Sequence, residues 1–293
     1  MNTNKSCISR FFFICTFLCV TISGSFAGQG KADSLFASAN YFEAAIEYER
    51  CIFYESDAGR IQSLQFNKAL CYKENGEYER AAENLQSIYF SNSTDTLYAL
   101  VNYELALCTY LNGEAQKALW KIDEFLARSG DSNTWLSFLP LKTLCLNEQH
   151  NWNDARATLQ HYFSKTAVDQ EQALQLNALT DSLYQNELPK IKNPRKAENL
   201  SRFIPGSGQV YAGKAGEGML NFLINASLLG FSVHQFYHGY YITGYVAGLG
   251  MLSKIYLGGV KRAGDLAREK NRNSLSDFNL AVNQLVIHSL QGE

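Results

Sequence analysis

The chain has 293 residues, with 26 Lys/Arg against 28 Asp/Glu and a net charge of −2. That balance gives no general attraction for nucleic acid, and the length suffices for two modest domains. Ser, His and Asp are scattered without a nucleophile motif, so an enzyme is not expected and neither is a cofactor.

Lys5 and Arg10 precede the apolar run FFFICTFLCVTI, and Ser25-Phe26-Ala27 closes it with small residues at the two positions a signal peptidase reads. The pattern predicts a signal peptide over residues 1–27, with an uncleaved anchor as the alternative, because the run is too short for a comfortable span. Cys19 is no lipoprotein cysteine, since Thr16, Phe17 and Leu18 lack the required small residues. The expected location is the cell envelope, with the rest of the chain exported and on the extracytoplasmic side of a membrane.

Residues 28–165 repeat. Ala32, Ala69, Ala106 and Thr143 stand 37 apart, as do Ala44, Ala81, Ala118 and Ala155. The bulky set Tyr48, Leu85, Ile122 and Leu159 keeps the same step, as does the set Tyr41, Tyr78, Ala115 and Trp152. Fixed-period self-similarity predicts a row of helical hairpins, each turning at a Gly or Asn such as Asn75-Gly76 or Asn112-Gly113. Cys71, Cys108 and Cys145 share one register position. Equivalent helices in a stack lie about 10 Å apart, too far for a disulfide, so these cysteines are expected to be free core residues. A fifth register, LQLNALTDSLY, meets Pro189 where its partner helix should begin. The segment 166–190 should therefore hold one capping helix, Asp169–Asn186.

The pattern Gly76, Tyr78, Ala81 across a turn, with small residues in the preceding helix, resembles the tetratricopeptide repeat, although the period is three longer than that family's usual one of about 34. The fold class expected is all-α: a solenoid of about four such repeats with its cap, followed by a helical transmembrane hairpin. The resemblance implies a concave groove for a protein or peptide partner, lined here by Phe66, Leu70, Lys73, Tyr103, Leu107 and Tyr110.

Residues 191–218 read as a basic linker and a glycine-rich turn, with Lys192, Arg195, Lys196 and Arg202 against Glu198 alone before the glycines. Two apolar segments of about span length follow within 219–262, joined at His238-Gly239 and flanked by a second basic cluster from Lys261 to Arg272. Gly244 and Gly248 form a small-x-x-x-small face suited to close helix packing, and a homo-oligomer through this hairpin is the alternative function. Asn221, Asn225, His234 and Lys254 would be costly facing lipid, which leaves a soluble hairpin as the competing reading. Export puts both basic flanks on the exported side, against the positive-inside tendency. Three resolutions stay open: the flanks bind anionic headgroups, the hairpin inserts only partly, or the leader is misread. His234 and His238 have metal-ligand spacing but no third ligand, so they read as interfacial. Residues 263–293 should form a separate amphipathic helix opening on Ser276 or Asp277.

The stretch GQVYAGKA, residues 208–215, falls one residue short of a phosphate-binding G-x-x-x-x-G-K-[ST] loop, with Ala215 in place of the hydroxyl. Pro205 precludes the strand such a loop needs before it, so nucleotide binding is rejected. The longer string Pro205, Gly206, Gly208, Gln209, Tyr211, Gly213, with Gly218 after it, resembles the P-G-x-G-Q-x-Y-x-G motif of TM2-like membrane modules. That resemblance implies a two-span module over 198–262 with no known reaction. The function expected is an exported, membrane-associated scaffold that binds membrane lipid and a protein partner.

Overall fold

The computed structural model describes residues 27–90, 96–128 and 135–291, so the leader lies outside the described residues. Helix follows helix, and no strand occurs among the described residues. Four pairs come first: α1 (Ala27–Ala37) with α2 (Tyr41–Tyr54), α3 (Ala58–Glu74) with α4 (Tyr78–Gln86), α5 (Thr96–Leu111) with α6 (Ala115–Arg128), and α7 (Leu139–Glu148) with α8 (Trp152–Thr166). Each of these helices packs on the next, and α3 also touches α5, its equivalent one period on.

The period is visible in the backbone. The second helix of each pair starts at Tyr41, Tyr78, Ala115 or Trp152, positions 37 apart. Two residues earlier, Ala39, Gly76, Gly113 and His150 have φ of 61°, 81°, 88° and 60°. At each joint the N–H after the left-handed residue reaches back five residues: Asn40 to Leu35, Glu77 to Tyr72, Glu114 to Thr109 and Asn151 to Leu146. This is a Schellman turn, which satisfies the last carbonyls of the first helix. Alanine and histidine hold the left-handed conformation at a cost that glycine escapes. Ala39→Gly should therefore stabilise the protein by about 0.5–1 kcal/mol, and Gly76→Ala should destabilise it by about 1 kcal/mol, read from denaturant midpoints. Opposite signs at equivalent positions are the expected outcome; equal signs would contradict the shared turn.

Packing explains the small residues. Ala32, Ala69, Ala106 and Thr143 are fully buried, as are Ala44, Ala81, Ala118 and Ala155, where paired helices approach closely. Tyr48, Leu85, Ile122 and Leu159 are buried beside them. Cys71, Cys108 and Cys145 are free and fully buried. Burial pushes the Cys71 and Cys145 thiols up to about 12 and raises Cys108 as well. These three thiols should resist iodoacetamide in the native protein and react once it is unfolded, because the thiolate is the nucleophile. Rapid native labelling would contradict this packing.

Helix α9 (Gln170–Asn186) continues the register by one helix. Asp169 caps it by accepting from the Gln172 N–H at 2.7 Å. Thr180, 37 residues after Thr143, is fully buried. The Tyr184 hydroxyl donates to Asn147 Oδ1 at 3.0 Å, and Arg156 and Gln160 both bond Asp181.

The chain divides into two units, one running to Tyr184 and resuming at Val282, the other covering Gln185–Ala281. In the second unit α10 (Pro194–Phe203) and α11 (Ser207–Tyr211) lead to α12 (Ala215–Tyr237). A single turn, Tyr241–Thr243, and a π-helical segment, Gly244–Leu249, then run into α13 (Gly250–Gln291).

Three expectations need correction. The basic linker is helical, because Asn193 caps α10 through the Lys196 N–H and Pro194 suits its first turn. No separate helix opens at Ser276 or Asp277, which lie inside α13. A stripe of Val260, Ala263, Ala267, Leu275, Phe278, Val282 and Val286 stays buried at helical spacing, with no proline to break it. Finally, no helix among the described residues is long and apolar enough to cross a membrane. Asn221, Asn225 and His234 interrupt α12, and the π-helical segment interrupts its partner.

Candidate functional site

The glycine-rich string is a joint that locks three helices together. Gly206 has φ of 91°, and a Cβ on it would run into the Gly218 carbonyl at the start of α12. Gly208 lies against the Ala197 carbonyl of α10, again with no room for a Cβ. Gln209 is fully buried. Its Nε2 donates to the Gly259 carbonyl of α13 at 3.0 Å, and its Oε1 accepts from the Ser201 hydroxyl at 3.0 Å. Ser201 in turn accepts from the Gly208 N–H at 3.0 Å. One side chain thus stitches α10, α11 and α13. Tyr211 accepts from the Asn193 N–H at 3.2 Å, and its ring carries the ammonium groups of Lys192 and Lys196 at 4.9 and 5.5 Å.

Gly213-Lys214, the pair that imitates a phosphate loop, is a Schellman joint of the kind found in the repeats. The Gly213 N–H bonds Val210 and the Lys214 N–H bonds Gln209, with Gly213 at φ of 89°. The N–H groups of Gly208, Val210 and Ala212 are taken by Ser201, Gly206 and Gly208. A phosphate cradle needs free, convergent amides, and these are committed. His238-Gly239 repeats the same turn at the hairpin tip, where the Tyr240 N–H reaches Gln235.

The hairpin is built with its polarity reversed. Along the inner face of the hairpin Asn225, Ser232, Gly244, Gly248 and Gly259 are buried, and Gly218 is buried against Gly206 and Val210. A Cβ on Gly248 would overlap the Ser232 hydroxyl, and one on Gly259 would overlap the Asn221 carboxamide. Asn225 Nδ2 donates to the Asn221 carbonyl at 2.8 Å, and the Ser232 hydroxyl donates to Leu228 at 2.8 Å. The two donors are thus satisfied along the helix, whereas the buried Asn225 Oδ1 has no hydrogen-bond partner among the described residues. Outside, 16 large apolar side chains between Met219 and Leu257 are exposed, among them Leu223, Leu229, Val233 and Val246. They are half of all such exposed side chains in the described chain. Gly244 and Gly248 face α12 of the same hairpin, so they do not offer a free face to a second copy.

Charge is sparse on this surface, where Lys254 is exposed, but dense at its root. Residues 218–260 contain one charged side chain, Lys254, whereas residues 185–281 as a whole carry twelve Lys/Arg and six Asp/Glu. Arg262 clamps Glu217 at 2.7 and 3.3 Å, and Arg268 pairs with Asp265 and Glu198. His234 and His238 lie 4.5 Å apart, ring to ring, near the tip. No group of three metal-ligating side chains occurs among the described residues.

The six groove residues belong to the other unit, and the structure embeds them. Leu107 is buried, and Phe66, Leu70, Lys73, Tyr103 and Tyr110 are half-buried. Tyr103 packs edge-on against Phe138 at 5.4 Å. Lys73 bonds Glu104 at 2.9 Å and lies 3.5 Å from Glu74. Burial alone would lower the Lys73 ammonium, but Glu104 and Glu74 outweigh it and hold it above the ordinary range. Burial raises the Glu74 carboxyl, with Lys73 opposing.

Neither a protein-family model nor a curated protein matches this chain. The links from Gln209 to Gly259 and from Asn221 to Gly259 were hidden in the sequence, because each joins residues dozens of positions apart. The signal that could have exposed them is the set of polar residues, Asn221, Asn225 and Ser232, aligned with Gly244, Gly248 and Gly259 on the opposing segment.

Proposed function

We propose that this chain is a membrane-attached scaffold. The α12–α13 hairpin seats in lipid and holds a tetratricopeptide-like row of helix pairs for a protein or peptide partner. The observation that supports the reading most is the reversed polarity of the hairpin. The residues that lower the mean hydropathy of α12 include Asn225 and Ser232, which are 4% and 1% exposed, so the surface offered outward is far more apolar than the helix average. Hydrocarbon would cover that surface, and small residues on the inner face are what let helices pack closely within it. The run from Met219 to Phe236 rises about 27 Å at 1.5 Å per residue, against about 30 Å for a bilayer core. Lys254 can direct its ammonium toward the basic root along its aliphatic stem.

The partner reading rests on repeat architecture and on charge. Residues 27–184 carry twelve Lys/Arg and twenty-one Asp/Glu, which favours a basic partner. An assembly role through hairpin oligomerisation remains the second reading, although the Gly244/Gly248 face is already used inside the hairpin.

Flotation of the full chain with phosphatidylcholine vesicles tests the membrane claim. The protein should rise with the vesicles and stay with them through carbonate washing. Recovery wholly in the aqueous fraction would refute the reading.

A further inference from the structure

We infer that the root of the hairpin is a collar for anionic phospholipid headgroups, so that the protein selects negatively charged membranes. The inference rests on the membrane reading above and adds to it the class of lipid. Its first support is segregation: the hairpin shaft from 218 to 260 carries a single charge, while its root carries cations from three helices. The second is that six of these cations are free of ion pairs. Lys192, Arg195, Lys196, Lys214, Lys261 and Lys270 make no ion pair within 4.0 Å among the described residues, in contrast to Arg262 and Arg268.

The third support is rigidity. Lys192 and Lys196 are gathered over the one ring of Tyr211, and the Lys192 backbone is bonded in both directions to Asn271, each bond 2.7 Å. Gathering two ammonium groups around one ring concentrates positive charge there, and a phosphate would neutralise it. The fourth is position. Phe203 and Met219, 86% and 67% exposed, lie directly after Arg202 and five residues after Lys214 in the chain, which gives the root the mixed apolar and cationic rim that suits the boundary between acyl chains and headgroups. A free phosphate or an acidic macromolecule would use the cations but leave those apolar side chains in water, so lipid is the occupant that fits both.

The test is vesicle flotation of the full chain, with phosphatidylcholine alone or mixed with phosphatidylglycerol, at low and high salt. Each cation near an anionic surface is worth about fivefold in association, so the mixed vesicles should bind at least tenfold more tightly at low salt. High salt should remove most of that preference. Changing Lys192, Arg195, Lys196 and Lys270 together to Gln should reduce the preference below about twofold while binding to phosphatidylcholine stays unchanged. Exchanging the three lysines for Arg should preserve it, which separates loss of charge from loss of fold. Equal binding to both vesicle types would overturn the collar and leave the membrane reading intact; this is also what a collar for an acidic protein or nucleic acid predicts. Failure to float with either composition would overturn both.

Discussion

Gly208→Val is expected to unfold residues 185–281 while leaving α1 to α8 intact. The added Cβ would fall on the Ala197 carbonyl and the Ser201 hydroxyl, and the carbonyl belongs to a helix backbone that cannot step aside. Moving α11 away instead would pull Gln209 from both Ser201 and Gly259 and leave a fully buried carboxamide unpaired. Overpacking and orphaned polar groups each cost about 1–3 kcal/mol, so the combined loss should be about 3 kcal/mol or more. Amide hydrogen exchange reads the outcome by segment: protection should vanish in α10 to α12 and persist in the repeats. Full protection in the Gly208→Val protein would mean that the joint does not hold the unit together.

Leu223→Asp combined with Leu229→Asp is expected to abolish vesicle association without harming the fold. Both side chains are exposed, by 53% and 51%, so the substitutions fall outside the buried face of the hairpin. Replacing leucine by aspartate at depth in a bilayer costs about 3 kcal/mol per site, and two sites should weaken association on the order of 10³-fold or more. The control is Val168→Asp with Leu174→Asp, which charges two exposed apolar positions in the other unit, at 87% and 64%. That protein should bind vesicles like the wild type. If the two double variants behave alike, the hairpin surface is not the lipid contact.

The repeats were legible because their chemistry is local and recurs. A small residue every 37 positions, a bulky residue four positions after it and a turn between helices are visible in one dimension. Even so, only Gly76 and Gly113 announced the left-handed turn; Ala39 and His150 adopt it under pressure from their neighbours. The hairpin was half legible. Its length and its glycines could be read, but of the polar residues Asn221, Asn225, His234 and Lys254 that read as obstacles to lipid, Asn225 is buried while His234 and Lys254 are exposed. Hydropathy averaged along a helix cannot distinguish a polar stripe that is buried from one that is exposed. The near-miss phosphate loop shows the same limit: Gly-Lys reads as nucleotide chemistry in the string, and only the hydrogen bonds of Gly213 and Lys214 reveal another Schellman joint. The groove residues lie between core and surface: Leu107 is buried, while Phe66, Leu70, Lys73, Tyr103 and Tyr110 are half-buried.

Cysteine accessibility on vesicle-bound protein tests the central claim most directly. In a background without the seven native cysteines, Val233→Cys reports the outward face of the shaft and Arg272→Cys reports beyond its root. A water-soluble maleimide should label Arg272→Cys readily and leave Val233→Cys untouched until detergent is added. Equal labelling of the two in the vesicle-bound protein would contradict a hairpin seated in lipid.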